Sequence, residues 1–325
     1  MSVMRLFGWA GLAAIGPLVA WLTPSLLTQS LVAQATFLAI FALGVGLLLR
    51  QNGTVSFGHA AFFGLPGYML GALLPLKLMP VELLICAAVL LTAGAAFVIG
   101  LVIVRVHGIA FGMLTLAVGQ AVYEAATRLR GITGGNDGLS LRLPPHLFGL
   151  SLKTFQQPGG MLIVSWLVMV AVLALVSVLG ASRLGVLTEA IRDNEERVRF
   201  LGYRTLLPRA AMFAISAAVT AVGGVLFSLY NAFISPDTVH WTASGSALIM
   251  AILGGSGAFW GPVAGAFVYF FVKDLLSGYT AHWLSIIGMA LIVTTVAFPA
   301  GLAGLLPWMR KLIESRQGED PVASS

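Results

Sequence analysis

Long stretches without any charged side chain alternate with short polar connections along the chain. A charge at the centre of a bilayer costs at least about 2.5 kcal/mol, so such stretches mark membrane spans. The stretches free of Lys, Arg, Asp and Glu are Leu6–Leu49, Gln51–Leu76, Leu83–Val104, Val106–Tyr123, Thr154–Ser182, Ala210–Pro236, Thr238–Val272 and Leu275–Met309. A span needs about 20 apolar residues, so the first stretch holds two, joined near Pro24 and Ser25. The pattern predicts an all-α polytopic membrane protein with eight to ten transmembrane helices.

Two of these stretches are interrupted by glycine and proline and predict broken or re-entrant segments: SFGHAAFFGLPGYMLGALL from Ser56 and LIMAILGGSGAFWGPVAGAF from Leu248. Paired interruptions of this kind point to a transport pathway, because irregular backbone in a bilayer must pack in protein or line a polar cavity. The other interpretation is that the glycines allow close helix packing. The corresponding structural interpretation of His59 is that its ring hydrogen-bonds a backbone carbonyl. The pathway candidates are Asn52, Ser56, His59, Gly64, Pro66, Gly254, Gly255 and Ser256.

The polar segment 183–209 carries six arginines, which predicts that it is cytoplasmic. Counting spans from it places Arg5, Arg50 and Arg105 on the same side and the polar segment 129–158 outside. Residues 189–203 read EAIRDNEERVRFLGY, with opposite charges at helical spacings and a glycine to end one helix. A narrow apolar stripe is expected from Ala190, Ile191, Val198 and Leu201. This helix is either a docking handle for a soluble partner or a solvated loop that sets topology.

Topology also constrains the two ends of the chain. A cytoplasmic tail over 311–325 requires an even number of crossings after Arg209, which holds if the chain around Gly254–Pro262 enters the membrane and returns. The first apolar run is expected to remain as a span, because the small residues Ala33–Ala35 lie too far beyond it to form a signal-peptide cleavage site.

Composition narrows the class of protein. The 325 residues are 58% hydrophobic and 9% charged, with mean hydropathy +0.96, whereas soluble domains carry about 25% charged residues. This balance excludes a cytosolic enzyme and a nucleic-acid-binding domain. The net charge of +6 fits topology signals better than an acidic partner, and the single cysteine, Cys86, excludes an intrachain disulfide.

The sequence lacks the usual signatures of an enzyme or an ion-coupled carrier. None of the four lysines, Lys77, Lys153, Lys273 and Lys311, follows a glycine, so there is no Walker A motif. Cys and His show no metal-ligand spacing, and the absence of paired intramembrane carboxylates weakens a proton-coupled secondary carrier. Gly254–Gly257 resembles the serine motif of rhomboid intramembrane proteases with His282 as base, but rhomboids carry glycine where this chain has Ser285. A transport protein without its own catalytic, metal or ATPase site is therefore predicted.

Six motifs occur in order along the chain and together identify a family resemblance. They are SFGHAAFFG from Ser56, RGITGGNDGLS from Arg130, the Glu189–Tyr203 segment, AFISPDTVHW from Ala232, LIMAILGGSGAFWGPVAGA from Leu248 and FPAGLAGLL from Phe298. Together they resemble the LivM-type permease subunits of bacterial ATP-binding-cassette importers for branched-chain amino acids. The resemblance covers roughly Gln29–Leu306. Any one motif alone would be weak, whereas six in order are specific.

The resemblance implies a multi-subunit importer in the bacterial inner membrane. This chain would pair with a second, LivH-like permease, two ATPase subunits holding ATP and Mg, and a periplasmic substrate-binding protein, and would bind no cofactor or nucleic acid itself. Its transmembrane permease domain would cover 1–310, with a coupling loop at 183–209 and an outer loop at 129–158. The ATPase-coupling residues would be Glu189, Ala190, Arg192, Asp193, Glu196, Arg197 and Gly202. An outer turn facing the binding protein would comprise Gly134, Gly135, Asp137 and Gly138, which the residues alone identify only as a tight turn.

The expected mechanism is alternating access, with force from ATPase closure entering through the helix at Glu189–Gly202. The resemblance implies a pathway with polar lining for a zwitterion but no deep binding pocket, and specificity residing mostly in the periplasmic partner. Urea or short amides stay open as substrates within the same architecture, and an ion-coupled carrier is a distant alternative.

Overall fold

The structure, a computed structural model, describes residues 3–279 together with 282, 285–286, 288–289, 292 and 301–304. Its helices are α1 (Val3–Leu22), α2 (Leu26–Asn52), α3 (His59–Leu73), α4 (Val81–Ile103), α5 (Ile109–Arg128), α6 (Arg130–Thr133), α7 (Leu152–Gln156), α8 (Pro158–Gly180), α9 (Arg183–Asp193), α10 (Glu195–Phe200), α11 (Leu206–Asn231), α12 (Trp241–Gly254) and α13 (Gly261–Ser277). Four short strands are β1 (Leu139–Ser140), β2 (His146–Leu147), β3 (Leu150–Ser151) and β4 (Phe233–Ile234). Much of the last charge-free stretch and the whole predicted tail 311–325 lie outside the described residues.

Six helices in this part of the chain are long and apolar enough to cross a membrane: α2, α3 with the 3-10 turn after it, α4, α5, α8 and α11. Shorter apolar helices lie at Gly8–Leu22 and in α12. The predicted all-α polytopic class is confirmed. The total of eight to ten passes stays a prediction, because the last charge-free stretch is described only in part.

The centre of the molecule is the pair α2 and α11. Their most apolar windows are 78% and 72% buried, whereas those of α4, α5 and α8 are 28–33% buried. Gly44 on α2 lies against Thr220 on α11, and Gly224 on α11 lies so close to the Phe63 carbonyl that any side chain there would collide with it. Small residues let helix backbones approach closely in a membrane. The peripheral helices consequently present broad apolar faces to their surroundings.

The break near Pro24 is confirmed, because α1 ends at Leu22 and α2 begins at Leu26. Ser25 caps α2 by accepting a hydrogen bond from the amide of Thr28 at 3.4 Å. Unpaired amides in the first turn of a helix need such acceptors.

The first glycine-rich segment is broken at a different place from the one its sequence indicates. α3 runs without interruption through Gly64 and Pro66, so the expectation of a break at these residues was wrong. The irregular backbone instead precedes α3, at residues 53–58. A side chain at Gly64 would collide with Val239, and one at Gly67 with Ser228, so these glycines serve close packing of an intact helix.

The second interruption is confirmed. α12 ends at Gly254, α13 begins at Gly261, and the two helices pack against each other and against α2 as a hairpin. The hairpin tip lies beside Arg50, at the end of α2 predicted to be cytoplasmic. The chain therefore runs towards that side and returns. This is the path that the predicted even number of membrane crossings after Arg209 requires.

The polar segment 183–209 forms two helices where one was predicted. Asn194 separates α9 from α10, because its side-chain oxygen accepts a hydrogen bond from the amide of Arg197 at 2.9 Å and begins a new helix. Gly202, with φ of +87°, follows the end of α10 as expected. The predicted apolar stripe is divided: Ile191 and Val198 are buried inside the chain, while Leu201 is exposed.

Candidate coupling platform and broken membrane segments

The first helix of the arginine-rich segment, α9, is attached to the end of α2. Thr188 donates a hydrogen bond to Gln51 Oε1 at 2.8 Å, and Arg192 Nη1 donates to the backbone carbonyl of Arg50. The α2 helix ends at Gly53 in the left-handed region, with φ of +64°, and a side chain there would lie 2.7 Å from Arg192 Cγ. Only glycine fits both the backbone conformation and the space, so the contact is tight.

Arg50 continues the connection to the α12–α13 hairpin. Its guanidinium donates to the carbonyl of Ser256 at 3.2 Å and to that of Gly257, and lies 4.3 Å from the centre of the Phe259 ring. Backbone carbonyls and an aromatic face are both good partners for a guanidinium. Arg50 therefore contacts α9 through its backbone carbonyl and the hairpin tip through its side chain.

The second helix of this segment, α10, is held by Glu195, whose side chain is 16% exposed. Its carboxylate contacts His107 Nε2 at 2.7 Å, Arg199 Nη2 at 2.6 Å and Arg209 Nη1 at 3.0 Å, and accepts a hydrogen bond from Thr205 at 2.7 Å. Burial alone would raise the pKa of Glu195, but these hydrogen bonds and arginine charges outweigh it and lower the pKa to about 2. The carboxylate stays charged and ties α10 to the α4–α5 connection and to α11.

The irregular segment 53–58 enters the space between α2, α5 and α11. The amide of Phe57 donates to Thr115 Oγ1 at 3.1 Å, and any side chain at Gly58 would collide with the backbone of Thr115. At the start of the segment, Asn52 Nδ2 donates to the Arg209 carbonyl at 3.1 Å. The segment is thus packed in protein, which is what a bilayer demands of irregular backbone.

His59 stands at the start of α3 and is fully buried. Ser216 donates to the Gly44 carbonyl at 2.7 Å, so its oxygen accepts from His59 Nε2, also at 2.7 Å, which leaves Nδ1 to accept from Ser56 at 2.7 Å. The ring also stands edge-on to Phe62. Both ring nitrogens are satisfied, and this arrangement favours a structural role.

The hairpin tip needs its glycines for close backbone approach. A side chain at Gly254 would collide with the Gly261 carbonyl, and Gly255 has φ of +86°. Gly265 likewise lies against the Met250 carbonyl. The serine within this run is explained by a turn of closely packed backbone, and its carbonyl faces Arg50.

The outer turn at 134–138 is held against the chain that follows α11. Gly134, Gly135 and Gly138 have φ between +65° and +73°, and a side chain at Gly138 would collide with the Ile234 carbonyl. Pairing of β1 with β4 fixes this contact. Within the described ranges, no three His, Cys, Asp or Glu side chains converge as a metal site would require.

Residues 27–297 match the family described as branched-chain amino acid transport system / permease component. This chain belongs to that family. It is 25% identical to the high-affinity branched-chain amino acid transport system permease protein LivM of Salmonella typhimurium, over 93% of this chain and 75% of that protein.

Two further relatives extend the comparison. The chain is 29% identical to the high-affinity branched-chain amino acid transport system permease protein LivH of Escherichia coli, over 48% of this chain and 50% of that protein. It is 26% identical to the autoinducer 2 import system permease protein LsrC of Yersinia enterocolitica, over 58% of this chain and 51% of that protein. No solved structure matches the chain significantly.

The structure distributes the predicted coupling residues of this permease over two roles. Arg192 contacts α2 and pairs with Asp193 at 2.8 Å and with Glu189 at 3.6 Å. Glu196 and Arg197 are exposed on α10. Arg192 therefore holds α9 against α2, while Glu196 and Arg197 lie on the exposed surface of α10.

Three residues that attach α9 and α10 to the rest of the chain, or α2 to the hairpin tip, were missed from the sequence: Arg50, His107 and Glu195. Arg50 had one available signal, since it is the single charge between two long apolar stretches. Glu195 and His107 lie 88 positions apart, and no local pattern relates them. The exposed apolar surface formed by Phe200, Leu201 and Tyr203, at 90%, 71% and 57% exposure, was predicted only in part, because the expected stripe included Leu201 but neither aromatic residue.

Proposed function

We propose that this permease is a membrane subunit of an ATP-driven importer of branched-chain amino acids in the bacterial inner membrane. Its partners would be a second, LivH-like permease, two ATPase subunits and a periplasmic substrate-binding protein. Family membership and the names of the relatives support this class of transport. The relative named for autoinducer 2 import makes the substrate a matter for experiment.

The observation that carries the ATPase-driven mechanism is the platform of α9 and α10. Arg192 and Thr188 attach α9 to α2, Arg50 attaches α2 to the hairpin tip, and Glu195 attaches α10 to α11. A displacement of the platform would therefore be passed to three membrane elements at once. The proposed step is that ATPase closure moves the platform and reorients these elements around the substrate path.

The docking surface for the ATPases is proposed to be Phe200, Leu201 and the exposed charges of α10. Exposed aromatic and aliphatic side chains bordered by charges are typical of protein interfaces. Phe200→Ala is expected to reduce co-purification of the ATPase subunits by at least tenfold, because central aromatic contacts dominate such interfaces. Ile132→Ala, which changes an exposed apolar residue on the opposite side, is the matched control.

Transport itself is tested by uptake of labelled leucine in cells with intact or inactivated ATPase subunits. Uptake is expected only with intact ATPase, and uptake that persists without it would refute the subunit mechanism. Competition by isoleucine, valine, urea, a short amide and autoinducer 2 identifies the substrate class. Strong competition by urea, the amide or autoinducer 2, with none from isoleucine or valine, would replace the amino-acid assignment.

A further inference from the structure

A cavity of about 570 Å³ lies between α2, α12, α13 and the turn before α12, with walls from α3 and α11. Sites for small molecules typically measure roughly 300–1,000 Å³. None of the pathway candidates expected from the sequence lines this cavity. It is a separate feature that the coupling platform does not explain.

One end of the cavity is apolar. Phe41 and Phe63 are almost completely buried, and their rings stack with centres 4.6 Å apart. Phe227 lies 5.5 Å from Phe63, and Met250 completes this part of the wall. Aromatic rings and a flexible thioether accommodate branched aliphatic groups of varying shape.

The other end carries polar and charged groups. Asp237 belongs to the turn before α12, and Lys273 lies on α13. Thr242 lines the same region, and Tyr269 donates a hydrogen bond to Ser246 at 3.2 Å. The cavity lining therefore carries one side chain of each charge, which matches the two charges of a zwitterion.

Position along the helices orders the two ends. Met250 lies four residues before the hairpin tip at Gly254, whereas Lys273 lies twelve residues after Gly261, about 18 Å along α13. Met250 therefore lies nearer the hairpin tip than Lys273 does, so the cavity extends along the α12–α13 hairpin.

We propose that this cavity binds the zwitterion of an apolar α-amino acid during transport, with Lys273 facing the carboxylate, Asp237 facing the ammonium group and the aliphatic side chain against Phe41, Phe63 and Met250. The proposal rests on the proposed function and names its substrate class within the membrane. It differs from the sequence-based expectation of a pathway without a binding pocket. The permease would select substrate in addition to the periplasmic protein.

The test uses the assembled transporter with Thr242→Cys in a Cys86→Ser background, labelled from outside by an impermeant maleimide. Leucine is expected to protect Cys at 242, whereas leucinamide, which lacks the carboxylate, and 4-methylpentanoate, which lacks the ammonium group, should protect only at higher concentrations. Because labelling reads the cavity directly, neither the binding protein nor ATP is needed. Absence of protection by leucine would overturn the proposal.

Charge variants distinguish recognition from structural damage. Lys273→Met should raise the leucine concentration required for protection by about three- to tenfold and leave that for leucinamide unchanged. Asp237→Asn should raise the leucine concentration required for protection by a similar factor. It should leave the concentration required for 4-methylpentanoate unchanged, because that ligand lacks the ammonium group. Asp274→Asn, adjacent to Lys273 but outside the cavity lining, is the control. Equal shifts for all three ligands, or an equal effect of the control, would overturn the proposal.

Uptake and ATP hydrolysis, measured in the same vesicles, separate this proposal from the proposed function. Loss of protection together with intact ATP-driven leucine uptake would refute the cavity and leave the transporter assignment standing. Protection by leucine together with uptake that does not depend on ATP would retain the cavity and refute the ATP-driven mechanism.

Discussion

Replacing Arg50 by methionine tests the mechanical link between α2 and the α12–α13 hairpin. Arg192 contacts the backbone carbonyl of Arg50, so the substitution keeps the attachment of α9 and removes only the contacts to Ser256, Gly257 and Phe259. Hydrogen bonds to a charged donor contribute about 1.5–3 kcal/mol each, and a partly exposed cation–π contact about 0.5–1 kcal/mol. Both bonds come from the same Nη1 of a half-buried arginine, so we count them as one. The lower limits of the two ranges, about 1.5 and about 0.5 kcal/mol, then give about 2 kcal/mol for the whole link.

A loss of about 2 kcal/mol changes the equilibrium between an attached and a released hairpin by about 30-fold. Arg50→Met is therefore expected to assemble with the ATPase subunits and hydrolyse ATP, but to transport at least tenfold less leucine per ATP in reconstituted vesicles. Arg105→Met is the matched control, because Arg105 lies just after α4 and, within the described residues, its side chain donates only to the Leu101 carbonyl of that helix. Normal transport per ATP by Arg50→Met, or an equal defect in the control, would refute the link.

Three further substitutions probe the hairpin, the platform and the buried histidine. Gly254→Ala should lower the midpoint of thermal unfolding by several degrees, because its methyl group would collide with the facing backbone, whereas Gly257→Ala, which has open space around it, should not. The pKa of Glu195, about 2 in the folded chain against an ordinary value of 4.5, predicts a stabilisation present at neutral pH and lost as pH falls from about 4.5 to about 2. Glu195→Gln should remove that acid dependence in thermal unfolding and Glu196→Gln should not. His59→Leu should cost about 2–3 kcal/mol of stability, which would lower the midpoint of thermal unfolding. The KM for leucine in the folded fraction should stay unchanged. A changed KM at an unchanged midpoint would assign the ring to the pathway.

The membrane explains why so much of the fold could be predicted. Exclusion of charge from the bilayer is a strong and local constraint, so the charge-free stretches located the long helices. The break near Pro24 followed from the length of the first stretch, which is too long for one span. Glycine and proline were less informative, because the same residues serve a chain break or close packing. In α3 they pack against Val239 and Ser228, and the break lies earlier, where the amide of Phe57 finds an acceptor on α5.

Contacts between distant segments account for what the sequence did not predict. Arg50 meets Ser256 across 206 positions, and Glu195 meets His107 across 88. The division of the cytoplasmic segment at Asn194 depends on competition between one side chain and the helix backbone, which charge spacing does not reveal. The cavity is assembled from several elements, and its two charges, Asp237 and Lys273, each appeared only as an interruption between apolar stretches.

The geometry of α2 relates the two proposals to each other. Its end carries Arg50, which joins the coupling helix to the hairpin tip, and its middle carries Phe41, which forms the apolar end of the cavity. Nine residues separate them, about 14 Å along one continuous helix. Because α2 is the most buried of the helices that can span the membrane, it is expected to move as a rigid body. Under the proposed mechanism, a displacement of the platform would then shift the wall against which the substrate side chain rests, so ATPase closure and substrate release would share one moving element.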